Sequence, residues 1–207
     1  MDLIIALLIL LFSAILHEIA HGSVAEYFGD DTARVMGRIT INPLVHLDLY
    51  FSFLIPIVLY MSGSPIIFGA AKPVPVNYNN LKNFRWGVFW VSAAGILTNI
   101  FLAILFAIFV KVFSLPETVH NIFVLVAQIN IFLAVVNMIP IPPIDGSKVL
   151  AAIFGERAIN WIMSIEMRGF AGILPFLILI YILFYTGAFQ HFMLPIVGFF
   201  FRIFGIA

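Results

Sequence analysis

His17, Glu18 and His21 stand together in the stretch His17-Glu18-Ile19-Ala20-His21. On a helix, an H-E-x-x-H pattern puts two imidazoles one turn apart on one face, at the spacing that lets both bind one zinc ion, with a carboxylate between them. Such a trio can hold a metal and use the carboxylate as a proton acceptor. The surroundings are unusual, because Leu3 to Leu16 upstream is almost wholly apolar. A metal site here lies inside a membrane, where ionisable residues are costly and mark function by default.

The elements that position these groups must suit that solvent. The chain has 207 residues, 63% of them hydrophobic and 10% charged, with a mean hydropathy of +1.15. A soluble domain carries about 25% charged residues, so the composition is that of a polytopic membrane protein. Ten basic and ten acidic residues cancel, and bulk charge gives no reason to expect a nucleic-acid partner. The absence of cysteine excludes disulfides and thiolate ligands. A tetrahedral metal site must then use His, Asp and Glu. The first apolar segment has Asp2 where a signal peptide has basic residues, and no small-x-small site precedes Glu18, so it is expected to stay as a transmembrane helix. With no long linker, charge block or repeat, one membrane-embedded domain is expected over 1–207, with a catalytic core at about 3–155 and C-terminal transmembrane segments at about 170–205.

The first helix is expected from Leu3 to Phe28, long enough at 1.5 Å per residue to cross a core of about 30 Å. Gly29-Asp30-Asp31 ends it. Ala33 to Asn42 alternates and holds Val, Ile and Thr, which predicts a short strand or hairpin arm. Leu49 to Ala71 is apolar but interrupted by Pro56, Gly63, Pro65 and Gly69, as in a kinked or re-entrant segment. Lys72 to Asn77 is extended and proline-stiffened. Helices are predicted from Trp86 to Phe113, with Ser92, Ala93, Ala94 and Gly95 as a close-packing cluster, and from Val119 to Ile139. Prolines 140, 142 and 143 then unwind the chain before Asp145. A short helix runs to Arg168, followed by apolar runs Phe170 to Tyr185 and Phe189 to Phe204.

Basic residues orient the bundle. Arg34, Arg38, Lys72, Lys82, Arg85, Lys148, Arg157, Arg168 and Arg202 fall in one group and Lys111 in the opposite connection. The positive-inside rule puts the larger group in the cytoplasm, the N-terminus outside and HEIAH near the cytoplasmic face. A full crossing by Leu49 to Ala71 would split the group, so re-entrant or hairpin geometry is expected there.

A zinc site needs a third protein ligand and an open fourth position. Asp2 and Glu117 fall on the outer side; Asp30, Asp31, Asp48, Glu156 and Glu166 lie in cytoplasmic connections or helices. Asp145 ends an apolar crossing beside the broken turn, at the depth expected for HEIAH. His17, His21 and Asp145 would hold one Zn²⁺, a bound water would be activated, and Glu18 would take its proton as general base. A competing reading of Asp145 is an N-cap for the helix that follows. A transmembrane substrate must be locally unwound before attack, and an edge near Arg34 to Ile41 could pair with it by strand addition. His46 is either a group supporting the site or stabilising an oxyanion, or an interfacial histidine in a turn. Lys72 reads as an anchor at the lipid headgroups.

HEIAH in an apolar helix, then GRITINPLVHLD, FGAAKPVPVN, SAAGILTN and NMIPIPPIDGSKVL, in that order, resemble the site-2 protease family of intramembrane zinc metalloproteases, in particular its small prokaryotic members without PDZ or CBS domains. The resemblance covers Leu3 to Leu150. It implies that His17, His21 and Asp145 are the zinc ligands and Glu18 the catalytic glutamate. It also implies that Asn137 holds substrate backbone and that Asn99 is a recurrent asparagine near it, a second substrate-binding candidate. Ile96 stands where the family usually has Pro, and Ser147 where DGG is usual; neither removes a ligand.

The expected protein is therefore an all-α polytopic membrane protein, a transmembrane helix bundle with a short membrane-associated β element and a re-entrant segment. Its expected activity is zinc-dependent endopeptidase cleavage in or near transmembrane segments of membrane proteins. Its partners are a transmembrane protein substrate and the lipid bilayer, in a prokaryotic cell membrane with the active site toward the cytoplasm. Two rivals are an inactive zinc-binding chaperone of membrane proteins and a metal transporter; Glu18 argues against the first, and the few polar residues in the outer halves of the helices against the second.

Overall fold

The computed structural model describes residues 3–47, 54, 61 and 72–206. The described elements are helical: α1 (Leu3–Tyr27), α2 (Thr32–Val35), α3 (Pro43–His46), a 3-10 turn (Tyr78–Asn80), α4 (Phe84–Val112), α5 (Glu117–Asn137), α6 (Asp145–Phe154), α7 (Glu156–Met167), α8 (Phe170–Tyr185) and α9 (Ala188–Phe204). Three of them, α1, α4 and α5, are long and apolar enough to cross a membrane, and α7 with α8 forms a pair bent by 99° that passes the same test together.

α4 packs against both α1 and α5 and is the centre of the bundle. The expected cluster of small residues does this work: Ser92, Ala93, Ala94 and Gly95 are all buried on α4. Further along, Ala103 and Ala107 of α4 meet Ala127, Ile131 and Val135 of α5, joined by Phe189, Met193 and Val197 of α9. Small side chains let the backbones approach, which is how helices gain contact in lipid. The outer faces keep large apolar groups exposed, among them Leu7, Leu8, Phe101 and Ile108, as lipid contact requires.

The strand expected over Ala33 to Asn42 does not form: Thr32–Val35 is one helical turn, and the described residues contain no strand. A ladder needs N–H donors on both sides, whereas the extended segment beside Arg38 carries Pro73 and Pro75, which have none. The Arg38 guanidinium instead donates to the Lys72 and Pro73 carbonyls, at 2.7 and 3.3 Å. The strand-addition edge expected at Arg34 to Ile41 is thus replaced by a side-chain clasp. The Leu49 to Ala71 segment, expected to re-enter, lies outside the described residues except for Leu54 and Met61; at its described flanks, the Lys72 N–H donates to the His46 carbonyl at 2.7 Å.

The extended segment from Lys72 onward crosses the end of α1 and is tied down along its length. Asp30, fully buried, accepts from Asn77 N–H (2.7 Å), Asn80 Nδ2 (2.9 Å) and both the hydroxyl and the N–H of Thr32. Burial alone would raise the Asp30 carboxyl; these donors hold it below the usual carboxylate range. Lys82 N–H closes the segment onto the Phe28 carbonyl at 2.7 Å.

The helix expected up to Arg168 is split at Gly155, whose φ of 107° no other residue adopts readily. The C-terminus also corrects the grouping of charges. Gly205 lies against Lys111, a Cβ there being 2.6 Å from the Lys111 Cε, and Arg202 sits in the last turn of α9 just before it. Arg202 therefore belongs to the Lys111 end of the bundle.

Candidate metal centre

Helical spacing puts His17 and His21 of α1 one turn apart, and both are buried, each 8% exposed. One face of α4 receives them. Val91, Gly95 and Asn99 follow at four-residue intervals and supply in turn a carbonyl, a gap and an amide. The His21 Nδ1 lies 2.7 Å from the Val91 carbonyl oxygen. The His17 Nδ1 lies 2.8 Å from Asn99 Oδ1. Between these two contacts Gly95 leaves room for the His17 ring: a Cβ there would stand 2.4 Å from Cε1.

Asp145 arrives from the other side. After α5 ends, the chain turns through Met138 to Ile144, and α6 starts so close to the end of α5 that a Cβ at Gly146 would lie 2.4 Å from the Met138 carbonyl oxygen. Asp145 occupies the first turn of α6; the capping position is Ile144, and no side chain caps there. The capping reading of Asp145 therefore gives way to an aspartate aimed at the histidines.

His17 Nε2 and His21 Nε2 are 3.0 Å apart, and Asp145 Oδ2 is 3.1 Å from the first and 3.2 Å from the second. The Val91 carbonyl can only accept, so His21 carries its proton on Nδ1 and turns a lone pair inward from Nε2. Asn99, which uses its Nδ2 toward Asn130 Oδ1 at 3.3 Å, accepts from His17 Nδ1 and leaves His17 in the same tautomer. Three acceptor atoms thus converge, and Asp145 Oδ2 is buried with no hydrogen-bond donor. Three converging lone pairs repel unless a cation, or an added proton on one imidazole, lies among them. Ligand atoms about 2.0–2.1 Å from a tetrahedral Zn²⁺ are about 3.3 Å apart, close to the observed triangle. Among the described residues, His17, His21 and Asp145 form the one such ligand group.

Glu18, next on α1, accepts from the Val74 N–H at 2.7 Å. It lines a cavity of about 290 Å³ together with His17, His21, Asp145, Asn137, Val74, Tyr78 and Lys148. Asn137 is thus at the site, its Nδ2 bonded to the Leu133 carbonyl of its own helix at 2.9 Å. Asn99 does not line the cavity: it is fully buried behind His17. His46 is also fully buried, its Nε2 bonded to the Thr40 carbonyl at 2.8 Å, and it does not line the cavity. Lys72 is exposed at the start of the extended segment.

Sequence reasoning passed over four contributors. Val74 acts through its backbone, which no residue type signals. Lys148 is buried and paired to Glu166 at 2.6 Å; burial would lower its ammonium, but Tyr78 and Glu166 keep it raised. Tyr78 follows the extended segment. Asn130 sits mid-helix in α5, and a polar residue at that depth was the available signal.

The chain matches the model of peptidase family M50 over residues 5–117 and 114–182. It is 35% identical over 150 residues to "Putative zinc metalloprotease YwhC" of Bacillus subtilis, covering 68% of this chain and 65% of the relative. It is 24% identical over 201 residues to "Putative zinc metalloprotease Rip2" of Mycolicibacterium smegmatis, covering 95% of this chain and 73% of the relative. The chain thus spans just under two thirds of the length of the first of these relatives. No solved structure matches it. With its apolar spanning helices and a His-His-Asp group built on HEIAH, the chain belongs to peptidase family M50 and is an integral multi-pass membrane protein.

Proposed function

We propose that this chain is a zinc-dependent intramembrane endopeptidase that hydrolyses peptide bonds in or near transmembrane segments of membrane proteins. The observation that carries the reading is the convergence of His17 Nε2, His21 Nε2 and Asp145 Oδ2 at 3.0–3.2 Å beside the Glu18 carboxylate. In this reading these three residues hold one Zn²⁺ per chain. When bound, zinc supplies Lewis-acid polarisation and makes water nucleophilic near neutral pH.

The chain's own residues do the rest. Val91 and Asn99 orient the imidazoles from behind. The Val74 N–H fixes Glu18 Oε2 and leaves Oε1 to take the proton of the attacking water and pass it to the leaving amine. Asn137, whose Nδ2 is engaged with the Leu133 carbonyl and which lines the cavity, holds substrate backbone there. The half-enclosed cavity beside the end of α1 receives a substrate already unwound, since a helical segment has its amides satisfied internally. The whole chain acts as one catalytic unit. The basic residues Arg34, Arg85 and Arg157 at the α2, α4 and α7 ends support a site that faces the cytoplasm.

The test uses the full chain purified in detergent and reconstituted in liposomes. Zinc content is measured, and cleavage of a helix-destabilised transmembrane substrate is compared for the native protein and Glu18→Gln. Retained zinc with cleavage lost in Glu18→Gln supports the reading, and equal cleavage by both overturns the mechanism. Zinc without cleavage by either favours a chaperone, and zinc flux across the vesicle a transporter.

A further inference from the structure

Behind His17 lies a chain of polar groups that spans three membrane helices and that ligand binding does not use directly. Asn99 of α4 and Asn130 of α5 are fully buried, and Ser13 of α1 nearly so. Asn130 Nδ2 donates to the Val126 carbonyl of its own helix and to Ser13 Oγ, both at 2.9 Å. Asn99 Nδ2 donates to Asn130 Oδ1 at 3.3 Å, and Asn99 Oδ1 faces His17 Nδ1 at 2.8 Å.

The direction of this chain is set at one end. A backbone carbonyl can only accept, so the atom of Asn130 beside Val126 must be the nitrogen. Its oxygen then faces Asn99, which must answer with its own nitrogen and turn its oxygen to His17. Reversed, the Asn99 amide would donate to His17 Nδ1, moving the imidazole proton to Nε2, the atom that faces the other ligands.

We propose that Asn130 is a positioning residue of the metal centre, selecting through Asn99 which nitrogen of His17 is free to bind the metal. The proposal rests on the metal reading above. Two asparagines are needed because an amide next to histidine can bond in either sense, whereas a carboxylate there accepts in every orientation. A carboxylate behind a ligating histidine is a frequent solution; here the amide is given a fixed sense by a second amide anchored on backbone.

The experiment measures Zn²⁺ affinity by competition with a chromophoric chelator, and Co²⁺ absorption, on the full chain in detergent. Asn130→Leu removes the acceptor that holds Asn99 and is expected to weaken Zn²⁺ binding by about 10–100-fold. Asn99→Asp no longer depends on Asn130, so the pair Asn99→Asp with Asn130→Leu is expected to bind within about threefold of Asn99→Asp alone. Ser13→Ala leaves Val126 as the anchor and changes affinity little. Should Asn130→Leu not yield monodisperse protein with native helicity, Asn130→Ala carries the same comparison. Unchanged affinity in the folded Asn130 variant, or an equal loss in the double variant, overturns the proposal while the metal reading stands. A native protein that binds neither ion, or His17→Ala binding as tightly as native, overturns the metal reading and this proposal with it.

Discussion

Gly95 of α4 lies so close to His17 of α1 that a single methyl group would take the place of the ring: a Cβ at position 95 would be 2.4 Å from Cε1 and 2.6 Å from both ring nitrogens. The ligand and the glycine are one feature, because the ring can lie flat between the helices only where α4 has no side chain. Gly95→Ala is expected to displace His17, lower Zn²⁺ affinity at least tenfold and cost about 1–3 kcal/mol of stability through overpacking. Zinc content and thermal unfolding of the purified variant check this.

Removal of the metal should be visible in stability as well as activity. Three converging acceptors are stabilised by a cation that only the folded chain can hold, so stripping with a chelator lowers the unfolding temperature. Restoring zinc to about 100 times its dissociation constant should return about 2.7 kcal/mol. Asp145→Asn, which removes the anionic ligand, should abolish the zinc-dependent shift. A melting curve indifferent to zinc in the native protein would refute the centre.

The bond from the Val74 N–H to Glu18 is a positioning contact with no side chain of its own. Val74→Pro deletes that donor. The expected result is a fall in kcat of about tenfold or more, the loss of one hydrogen bond to a charged group, with zinc content unchanged. Zinc lost in parallel would mean that the extended segment supports the ligands and not the base.

Asp30 gives a pH dependence whose sign is determined. Its folded-state carboxyl is held below the usual range by Thr32, Asn80 and Asn77 against the opposing effect of burial. A depressed carboxylate contributes stability that is present above the unfolded value, about 3.9, and is lost as pH falls through the lower folded value. Unfolding temperature should therefore decline below about pH 4, and Asp30→Asn should flatten that decline while lowering stability at pH 7. An unchanged acid limb in the variant would assign the decline to other carboxylates.

Much of the site was legible because its chemistry is written in short-range spacing. His17 and His21 four apart, with Glu18 between, need only a helix to share a face, and the apolar run around them dictates that helix. The long helices and the small-residue cluster on α4 follow from the same solvent. Where reading failed, the deciding contacts were distant in sequence. Val and Ile alternation at Ala33 to Asn42 predicted a strand, but Pro73 and Pro75 opposite leave too few donors for a ladder, and Arg38 clasps their segment instead. Arg202 was grouped with the wrong end of the bundle, because basic residues near a terminus say nothing of where α9 ends.

Residue types and spacing alone determined that this chain lives in a membrane and carries two imidazoles and a carboxylate fit for a metal. Only the tertiary structure decided what each polar group does there. It decided between the two readings of Asp145 by setting its Oδ2 beside the histidines and the capping position at Ile144, kept Asn99 and His46 off the cavity, and placed Asn99 behind His17 with Asn130 to orient it. The reason is physical: in hydrocarbon each buried polar group must find a partner, and for these groups most of the partners lie on other helices, 31 to 117 residues away in the chain.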